Sequence, residues 1–329
     1  MRGRRFRIVV CLASFTLLSA VVSQPACAED PPITVRPTGG GCEILSGDNV
    51  IASYVTNDPA ITRPFWCNLK TLTGRSVTRS HPPAPGDLDD HATMHPGIWI
   101  AFGDVSGNDY WRLKAVVRHA GWGEPPSVVD GVVRLTARNE YLIAGRSDVL
   151  MEDTTHWTAR PVADGWLLTA EARFVPRSDD AKAVFGDQEE MGLGVRAATA
   201  IAERTGMGRT VRDSEGRETA AGVWGKSATW CDYAATTDTN RFGFTIYPAA
   251  DNFRPCWWHV RDTGLMVANP FGRKALTAGE LSQVSISSAE PLTLRFAIRI
   301  YDSAPTGAAG PAEFAPAAAD VLNLLQTSQ

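Results

Sequence analysis

Alternating apolar and polar positions are the dominant pattern of this chain, and they predict β-strands. The clearest runs cover residues 133–139, 167–175 and 292–301. In the last of them, "LTLRFAIRIY", Leu292 and the positions two, four, six and eight residues further on are apolar, while Thr293 begins the opposite face. A period of two over such lengths is typical of half-buried antiparallel strands. Gly and Pro, 29 and 21 in number, are spread along the chain as turn residues.

Helical periodicity is scarce and is clearest near the C-terminus. In "PAEFAPAAADVLNLL", Val321, Leu322 and Leu325 share one face of a predicted short helix. Sandwiches and barrels commonly reach 200–250 residues as one domain. The pattern therefore predicts an all-β protein: one large antiparallel β-sandwich over residues 29–329, with a short C-terminal helix and a concave sheet face for a ligand.

The first 28 residues have the pattern of a signal peptide. The basic "MRGRRFR" precedes the apolar "IVVCLASFTLLSAVV", and Ala26-Cys27-Ala28 forms a small-residue cleavage site. We expect the mature chain to begin at Glu29 and to be exported, to the periplasm or the extracellular space. A lipoprotein attached through Cys27 ranks second, because Gln24 and Pro25 fit such a site poorly.

The charge balance narrows the class of ligand. Residues 1–28 contain four arginines and no acid, so their removal changes the formal net charge from −4 to −8. An acidic chain is poorly suited to the nucleic-acid backbone or to an anionic membrane surface. We therefore expect neither nucleic acid nor membrane as a partner. A neutral sugar or polyol is compatible with this charge.

Four cysteines are left in the mature chain: Cys42, Cys67, Cys231 and Cys256. In an oxidising compartment they permit two disulfides, with three pairings that the sequence does not rank. Free buried thiols are the alternative. No CxxC, G-x-S-x-G or H-E-x-x-H motif is present, which leaves zinc-protease and serine-hydrolase functions without support.

The stretch "DHATMHPGIWIAFGDVSGNDYW", residues 90–111, carries the densest candidate chemistry. A strand from Gly97 would place His91 and His95 at its entry, with Asp104 and Asp109 beyond its exit. Two histidines four residues apart share a face only on a helix, and the proline after His95 disfavours a helix there. Polar loop residues bonded to the backbone are thus as well supported as a metal site.

Two later stretches add aromatic and charged side chains. The segment "VWGKSATWCDYAA", residues 223–235, contains the ingredients of a sugar-binding face, although tryptophans of a sandwich more often lie in its core. In "NFRPCWWHVRDTGLMVANPFG", residues 252–272, His259 and Arg261 share a strand face. An Arg beside a His suits a carboxylate or a developing oxyanion. A buried acid bridged by Arg261 and a core His259 are the alternative.

Together with "RPFWCNLKTLTGRSVTRSHPP", residues 63–83, these segments resemble the PmoA-like family of exported bacterial proteins, labelled "methane oxygenase PmoA". The resemblance runs from Arg63 to beyond Phe271. It implies a large β-sandwich similar to the galactose-mutarotase-like supersandwich, and a role beside proteins that break down glycans. The family label would imply copper chemistry, which no histidine spacing here selects.

The leading hypothesis is an exported carbohydrate-active hydrolase, lyase or epimerase that binds a sugar or a glycan fragment. We assign His91 or His95 as acid/base, His259 as partner base and Arg261 as the clamp on a carboxylate or oxyanion. One divalent ion held by His91, His95 and Asp104 is a variant. The predicted substrate contacts are Asp109, Trp111, Lys226, Trp230, Asp232, Tyr233 and Trp258. A non-catalytic glycan-binding protein ranks second, and a copper oxygenase third, because a start at Glu29 provides no N-terminal histidine.

Overall fold

A computed structural model describes residues 32–88, 90–178, 182–205, 208–303 and 310–326. The predicted signal peptide, residues 1–28, lies outside them. In chain order the strands are β1 (Ile33–Thr38), β2 (Gly41–Ser46), β3 (Asn49–Val55), β4 (Phe65–Cys67), β5 (Ile98–Phe102), β6 (Val117–Val129), β7 (Val132–Leu142), β8 (Val149–Val162), β9 (Gly165–Pro176), β10 (Ala183–Phe185), β11 (Met191–Arg196), β12 (Arg209–Asp213), β13 (Cys231–Thr236), β14 (Arg241–Pro248), β15 (Trp257–Val260), β16 (Leu265–Asn269), β17 (Val284–Ile286) and β18 (Leu292–Ser303). The helices are α1 (Ala220–Val223), α2 (Arg273–Thr277), α3 (Pro311–Gln326) and a 3₁₀ turn at Glu203–Thr205.

The strands form two eight-stranded antiparallel sheets and a small ribbon of β10 and β17. The first sheet has the order β1-β2-β3-β4-β5-β11-β16-β15, and the second has the order β12-β13-β14-β18-β9-β8-β7-β6. Inward-facing side chains of both sheets, such as Ile98 and Phe102 from β5 and Trp157 and Phe174 from β8 and β9, belong to one buried cluster. The predicted all-β sandwich is confirmed.

The predicted C-terminal helix is also confirmed as α3, and it covers the outer face of the second sheet. Phe314 and Leu322 of α3 belong to a buried cluster with Leu167 of β9 and Trp230. Because α3 covers Leu167, that part of β9 is apolar on both faces. No helix in the described part of the chain is long and apolar enough to cross a bilayer.

Cys42, Cys67, Cys231 and Cys256 are all free and buried, so the alternative of buried thiols holds. Cys42 lies on β2 and Cys67 on β4. Burial raises the pKa of Cys42 to about 12. The thiols are therefore protonated at neutral pH and serve as small apolar groups.

Asp153 is a buried carboxyl group, and the side chains that donate hydrogen bonds to it are uncharged. Asp153 on β8 accepts hydrogen bonds from Asn139 Nδ2 at 3.0 Å and from Thr155 Oγ1 at 2.7 Å. Burial raises its pKa to about 6 despite these bonds. The folded state therefore binds a proton more tightly than the unfolded state, in which the pKa is about 3.9.

We expect Asp153→Asn to change how stability depends on pH. Because the folded-state pKa is raised, the stabilisation contributed by Asp153 is fully present below its unfolded pKa of about 3.9 and is lost as the pH rises through about 6, a change of about 3 kcal/mol for a shift of this size. Urea unfolding between pH 4 and 8 should show this slope in the wild type and in the exposed-turn control Asp130→Asn. The slope should be absent in Asp153→Asn, and equal slopes in all three proteins would contradict the assignment.

Candidate functional site

The candidate site lies on the outward face of the first sheet. Trp99 of β5 pairs with Gly194 of β11, Gly194 pairs with Val267 of β16, and Val267 pairs with His259 of β15, so these four residues form one row across four strands. Their neighbours Ile98 and Met266 face the other way, into the core between the sheets. The site is therefore outside the sandwich and is walled by loops, not by the second sheet.

Gly194 leaves room for the indoles of Trp99 and Trp111 to pack closely against the sheet beneath the candidate site. A Cβ atom at this position would approach the indole of Trp99 to 2.7 Å and that of Trp111 to 2.8 Å. Trp111 reaches this place because the chain turns back after β5, where the amides of Tyr110 and Trp111 donate to Phe102 O at 3.0 and 3.2 Å. The turn brings the two ends of the 90–111 stretch together.

A cavity of about 750 Å³ opens on this face of the sheet, and His95, which stacks on Trp99, is part of its lining. All four predicted catalytic residues line it: His91, His95, His259 and Arg261. Its other lining residues are Asp90, Arg112, Asp187, Gln188, Glu189, Glu190, Arg196, Arg204, Asp262, Thr263, Leu265 and Ala275. The structure thus combines two segments that are more than 160 residues apart in the sequence, and adds a third, residues 187–190, before β11.

The loop that carries His91 and His95 is held by the buried guanidinium of Arg79. Arg79 donates to the carbonyl oxygens of Leu88 at 2.7 Å, Asp90 at 2.9 Å and His95 at 2.6 Å. Two longer contacts reach His91 and Ala92. Five donors in a rigid fork allow one arginine to fix a whole loop in this way.

A second buried arginine, Arg63, ties this loop to the returning chain. It donates to Trp111 O at 2.8 Å and to Met94 O, and its guanidinium lies 5.2 Å from the centre of the Trp99 ring. Burial lowers the pKa of Arg63 to about 9. The group is still charged at neutral pH, so it can hold backbone carbonyls on both sides.

Asp90 and Arg196 form an ion pair at one wall of the cavity. Arg196 is fully buried and donates to the two carboxylate oxygens of Asp90 at 3.0 and 2.5 Å. The pKa of Asp90 is lowered to about 2: its partial burial opposes the shift, and the hydrogen bonds and charge of Arg196 outweigh it, with His91 adding to the effect. His91 Nδ1 lies 3.6 Å from Asp90, and the His91 side chain is 49% exposed.

His95 is buried beneath His91, and one of its ring nitrogens accepts a hydrogen bond. Trp111 Nε1 donates to His95 Nε2 at 3.2 Å. The His95 ring stacks on His91 at 5.0 Å and on Trp99 at 5.2 Å. Because an indole N–H can only donate, the proton of neutral His95 is on Nδ1. Burial first, and the nearby arginines with His91, keep its pKa well below the usual value.

His259 has the same arrangement on the other side of the cavity. Trp224 Nε1 donates to His259 Nδ1 at 3.2 Å, which places the imidazole proton on Nε2. Burial, aided by Arg261 and Arg112, lowers the pKa of His259 to about 3. Glu189 Oε2 lies 3.3 Å from the same Nδ1 and accepts from Arg261 Nη2 at 3.0 Å. The predicted role of His259 as a base is therefore not favoured: its lone pair is engaged, and it offers an N–H donor.

Arg112 and Glu190 form the third wall. Arg112 Nη1 donates to Asp109 Oδ2 at 3.2 Å and to Gln188 Oε1 at 3.0 Å, while Nη2 pairs with Glu190. Burial raises the pKa of Glu190, and the Asp109 and Glu189 carboxylates add to this rise against the effect of Arg112. Glu190 is thus a carboxyl group that holds its proton to a higher pH than usual.

The predicted substrate contacts are divided between the cavity's supports and other parts of the fold. Asp109 orients Arg112, and Trp111 holds His95. Tyr233 lies below the site, where its hydroxyl is 3.2 Å from Arg261 O and accepts from the Glu203 amide at 2.9 Å. These three act on the site through other residues.

The remaining predicted contacts lie elsewhere. Trp258 is a core residue whose indole donates to Ala228 O, and Trp230 packs under α3. Asp232 is buried in the second sheet, where it binds Arg241, Thr245 and Tyr301. Lys226 is exposed and does not line the cavity. The core alternative was the right one for Trp230, and Trp258, predicted as a substrate contact, is also a core residue.

The structure does not assemble the predicted metal site. Asp104 lies away from the cavity, where it accepts from Gly107 N at 2.8 Å. Among the described residues no group of three or more His, Cys, Asp or Glu side chains is placed to hold a metal ion. His95 also offers no free lone pair, because its Nε2 accepts from Trp111 and its Nδ1 carries the proton.

The sequence pattern did not mark Arg79, Arg112 or Arg196 as parts of the site. Glu189 and Glu190 were not among the predicted site residues either. An exposed arginine and a buried one look the same in a polar–apolar pattern, and the partners of Arg196 are 106 residues away. The signal that was available was the pair of adjacent acids directly before the glycine-containing strand "MGLGVR".

A second cavity, of about 410 Å³, can be compared with the first by its lining residues. It is lined by Thr56, Asn57, Asp58, Ile61, Thr62, Arg63, Val116, Val117, Arg118 and His119. It contains none of the predicted site residues and has less than half as many ionisable groups as the first cavity. We therefore place the candidate function in the first.

We expect Trp224→Phe to reverse the tautomer of His259. Without the indole donor, the nearest partner of Nδ1 is the Glu189 carboxylate, which binds an N–H, so the proton should move to Nδ1 and the pKa should rise. Two-bond ¹⁵N–¹H correlation spectra should show His259 Nδ1 changing from a pyridine-type to a pyrrole-type shift. His156, whose Nδ1 bonds Thr136 at 2.8 Å, should keep its spectrum. An unchanged His259 spectrum would show that the Trp224 indole does not set the tautomer of His259.

Residues 41–315 match the model of DUF6807, a family of unknown function, and the chain belongs to that family. The predicted membership of the PmoA-like family is wrong, because the matching family is DUF6807 and no PmoA family matches. The copper oxygenase hypothesis rested on that label and is dropped with it. No curated protein sequence matches the chain.

Two solved structures are distant likenesses of this fold. A galactose mutarotase-like protein from Clostridium acetobutylicum is 8% identical, covers 84% of this chain and 100% of its own, and has a TM-score of 0.37. A protein described as a kojibiose phosphorylase from the human microbiome is 8% identical, with 88% of this chain covered and a TM-score of 0.35. This chain spans 30% of the length of the latter. No residue role is transferred from either protein.

Proposed function

We propose that this member of the DUF6807 family is an exported carbohydrate-active enzyme that performs acid–base chemistry on a sugar bound in the 750 Å³ cavity. The hydrolase, lyase and epimerase hypotheses share this chemistry, since each requires a proton to be given to one oxygen or carbon and taken from another. Export rests on the sequence of residues 1–28.

The observation that carries the proposal is a pair of adjacent carboxyl groups in unlike surroundings. Glu190 is 17% exposed and has a raised pKa. Glu189 is more exposed and is bound by Arg261. Two titratable groups whose surroundings separate their proton affinities are suited to the roles of acid and base. We assign Glu190 as the proton donor and Glu189 as the base.

The histidines and arginines around this pair have supporting roles. His259 offers an Nε2–H donor to an oxygen that gains negative charge during the reaction. Arg112 and Arg261 hold the two carboxylates and present further donors at the cavity surface. His91, half exposed at the rim beside Asp90, is placed to contact a sugar hydroxyl, and the stacked His95 fixes its position.

The mixed lining also fits a polyhydroxylated ligand. A sugar hydroxyl is both a donor and an acceptor, and carboxylates next to guanidinium groups offer both functions within one cavity. A cavity of 300–1,000 Å³ is the usual size of a small-molecule site. A mono- or disaccharide unit is of that scale.

The test is turnover of a panel of mono- and oligosaccharides, followed by NMR of the anomeric protons. New reducing-end signals would identify hydrolysis, and olefinic signals would identify elimination. The appearance of the signals of a second epimer would identify epimerisation. If a sugar binds but its spectrum does not change when the protein is present at the concentration of a catalyst, catalysis is contradicted. That outcome would favour the non-catalytic glycan-binding alternative.

A further inference from the structure

The arginines that line the cavity are all engaged by carboxylates of the same cavity. Arg196 binds Asp90 through two hydrogen bonds, and Arg204 binds Asp262 in the same way at 3.1 and 3.0 Å. Arg261 is paired with Glu189, and Arg112 is paired with Glu190 and with Asp109. Each of the four guanidinium groups is thus engaged by a carboxylate, and Arg112 keeps Asp109 as its partner when Glu190 is protonated.

The backbone amides at the start of α2 and the arginines beneath the loop are also occupied. Asp187 is a fifth carboxylate of the lining, and it accepts from the backbone amides of Lys274 and Ala275 at the start of α2, at 2.8 and 2.9 Å, and from that of Ser282 at 2.7 Å. The amides that begin α2 are therefore not available to an anion. Arg63 and Arg79 donate to backbone carbonyls beneath the loop.

A carboxylate on the ligand would meet an unfavourable environment in this cavity. It would have to separate one of the four ion pairs, or lie beside carboxylates with no cation of its own. Like charges placed together at a binding surface cost several kcal/mol. A hydroxyl group meets no such penalty, because it donates to a carboxylate and accepts from His259 Nε2–H without breaking a pair.

We infer that the cavity takes an uncharged sugar and discriminates against the uronate of the same ring configuration, because its four arginine–carboxylate pairs leave no cation for a ligand carboxylate. This inference rests on the proposed function and narrows it. Elimination from a uronate requires the substrate carboxylate to be neutralised, so the inference excludes a lyase reaction on uronates. Hydrolysis and epimerisation of neutral sugars are the candidate reactions that it keeps.

The experiment is calorimetric titration of the full mature chain with matched pairs of methyl glycosides: glucose and glucuronate, galactose and galacturonate, mannose and mannuronate. For whichever ring configuration binds, the uronate should bind about tenfold more weakly or worse. A uronate that binds as tightly as its neutral partner overturns the inference and leaves the proposed function standing. If no sugar of either kind binds, the proposed function fails, and the inference fails with it.

A variant tests the cause of the discrimination. Glu189→Gln releases the half-exposed Arg261 from its carboxylate, so the gap between neutral sugar and uronate should shrink by about tenfold. Glu43→Gln, which breaks the exposed pair with Arg36 on the distant strands β1 and β2, should leave the gap unchanged. An unchanged gap in Glu189→Gln would show that ion pairing of Arg261 does not set the selectivity, and would overturn the inference.

Discussion

Arg79→Met is expected to destabilise the protein by about 3–5 kcal/mol, one of the largest effects of any single substitution in the site. The buried guanidinium donates to the carbonyls of Leu88, Asp90 and His95 at 2.6–2.9 Å. Methionine fills much of the volume but leaves these oxygens without their donors. Since the same loop carries His91 in a left-handed conformation, φ 54°, the loop should also lose its fixed shape.

Urea unfolding followed by tryptophan fluorescence measures this loss. Arg79→Lys keeps the charge but not the fork, and should fall between the wild type and Arg79→Met. The matched control is Arg36→Met, because Arg36 is 58% exposed and its pair with Glu43 should be worth less than about 1 kcal/mol. A loss for Arg79→Met that is no greater than that of the control would show that the loop does not depend on Arg79.

Glu190→Gln is expected to lower kcat by about 10²–10⁴-fold while the sugar still binds. The amide keeps the shape of the side chain but has no acidic proton to transfer. In the wild type, turnover should fall as the pH rises through the raised pKa of Glu190, because the acid is active only when it is protonated. That basic limb of the profile should be missing from the residual activity of Glu190→Gln.

Two controls separate chemistry from folding in this variant. Its melting temperature should stay near that of the wild type, since glutamine can still accept from Arg112. Glu43→Gln, remote from the cavity, should retain full turnover and the wild-type pH profile. A Glu190→Gln protein with wild-type kcat would remove Glu190 from the mechanism.

Much of the fold was predictable because a half-buried strand has a local sequence signature, the alternation of apolar and polar residues. The alternating runs at 133–139, 167–175 and 292–301 lie within β7, β9 and β18, and the C-terminal pattern is α3. The order of the strands within a sheet has no such local signature. That β5 lies beside β11, and β11 beside β16, is decided by packing between segments far apart in the chain, which a single sequence does not display.

The site was predictable in part for the same reason. His91, His95, His259 and Arg261 stood out as rare or charged side chains near strands, and all four line one cavity. Trp230 and Asp232 had the same appearance, but α3 covers the first and Arg241 pairs with the second. Residue type indicates chemistry, whereas burial by a distant element decides whether that chemistry reaches a ligand.

The tautomers of the histidines were beyond prediction from sequence. Each depends on one indole N–H, from Trp111 or Trp224, that arrives from another part of the chain at 3.2 Å. These contacts change the chemistry assigned to the imidazoles, from bases or metal ligands to neutral donors. In the proposed mechanism the acid–base role therefore belongs to Glu189 and Glu190, which no motif marked.

The central claim is that a sugar binds in the cavity on the outward face of the first sheet. Its most direct test is a titration of the mature protein with the sugar panel, followed by the ¹⁵N-resolved resonances of its histidines. Binding at the proposed site should shift His259 and His91 and leave His119, in the second cavity, and His156 unchanged. A sugar that shifts His119 alone, or a panel that shifts no histidine, would contradict the account.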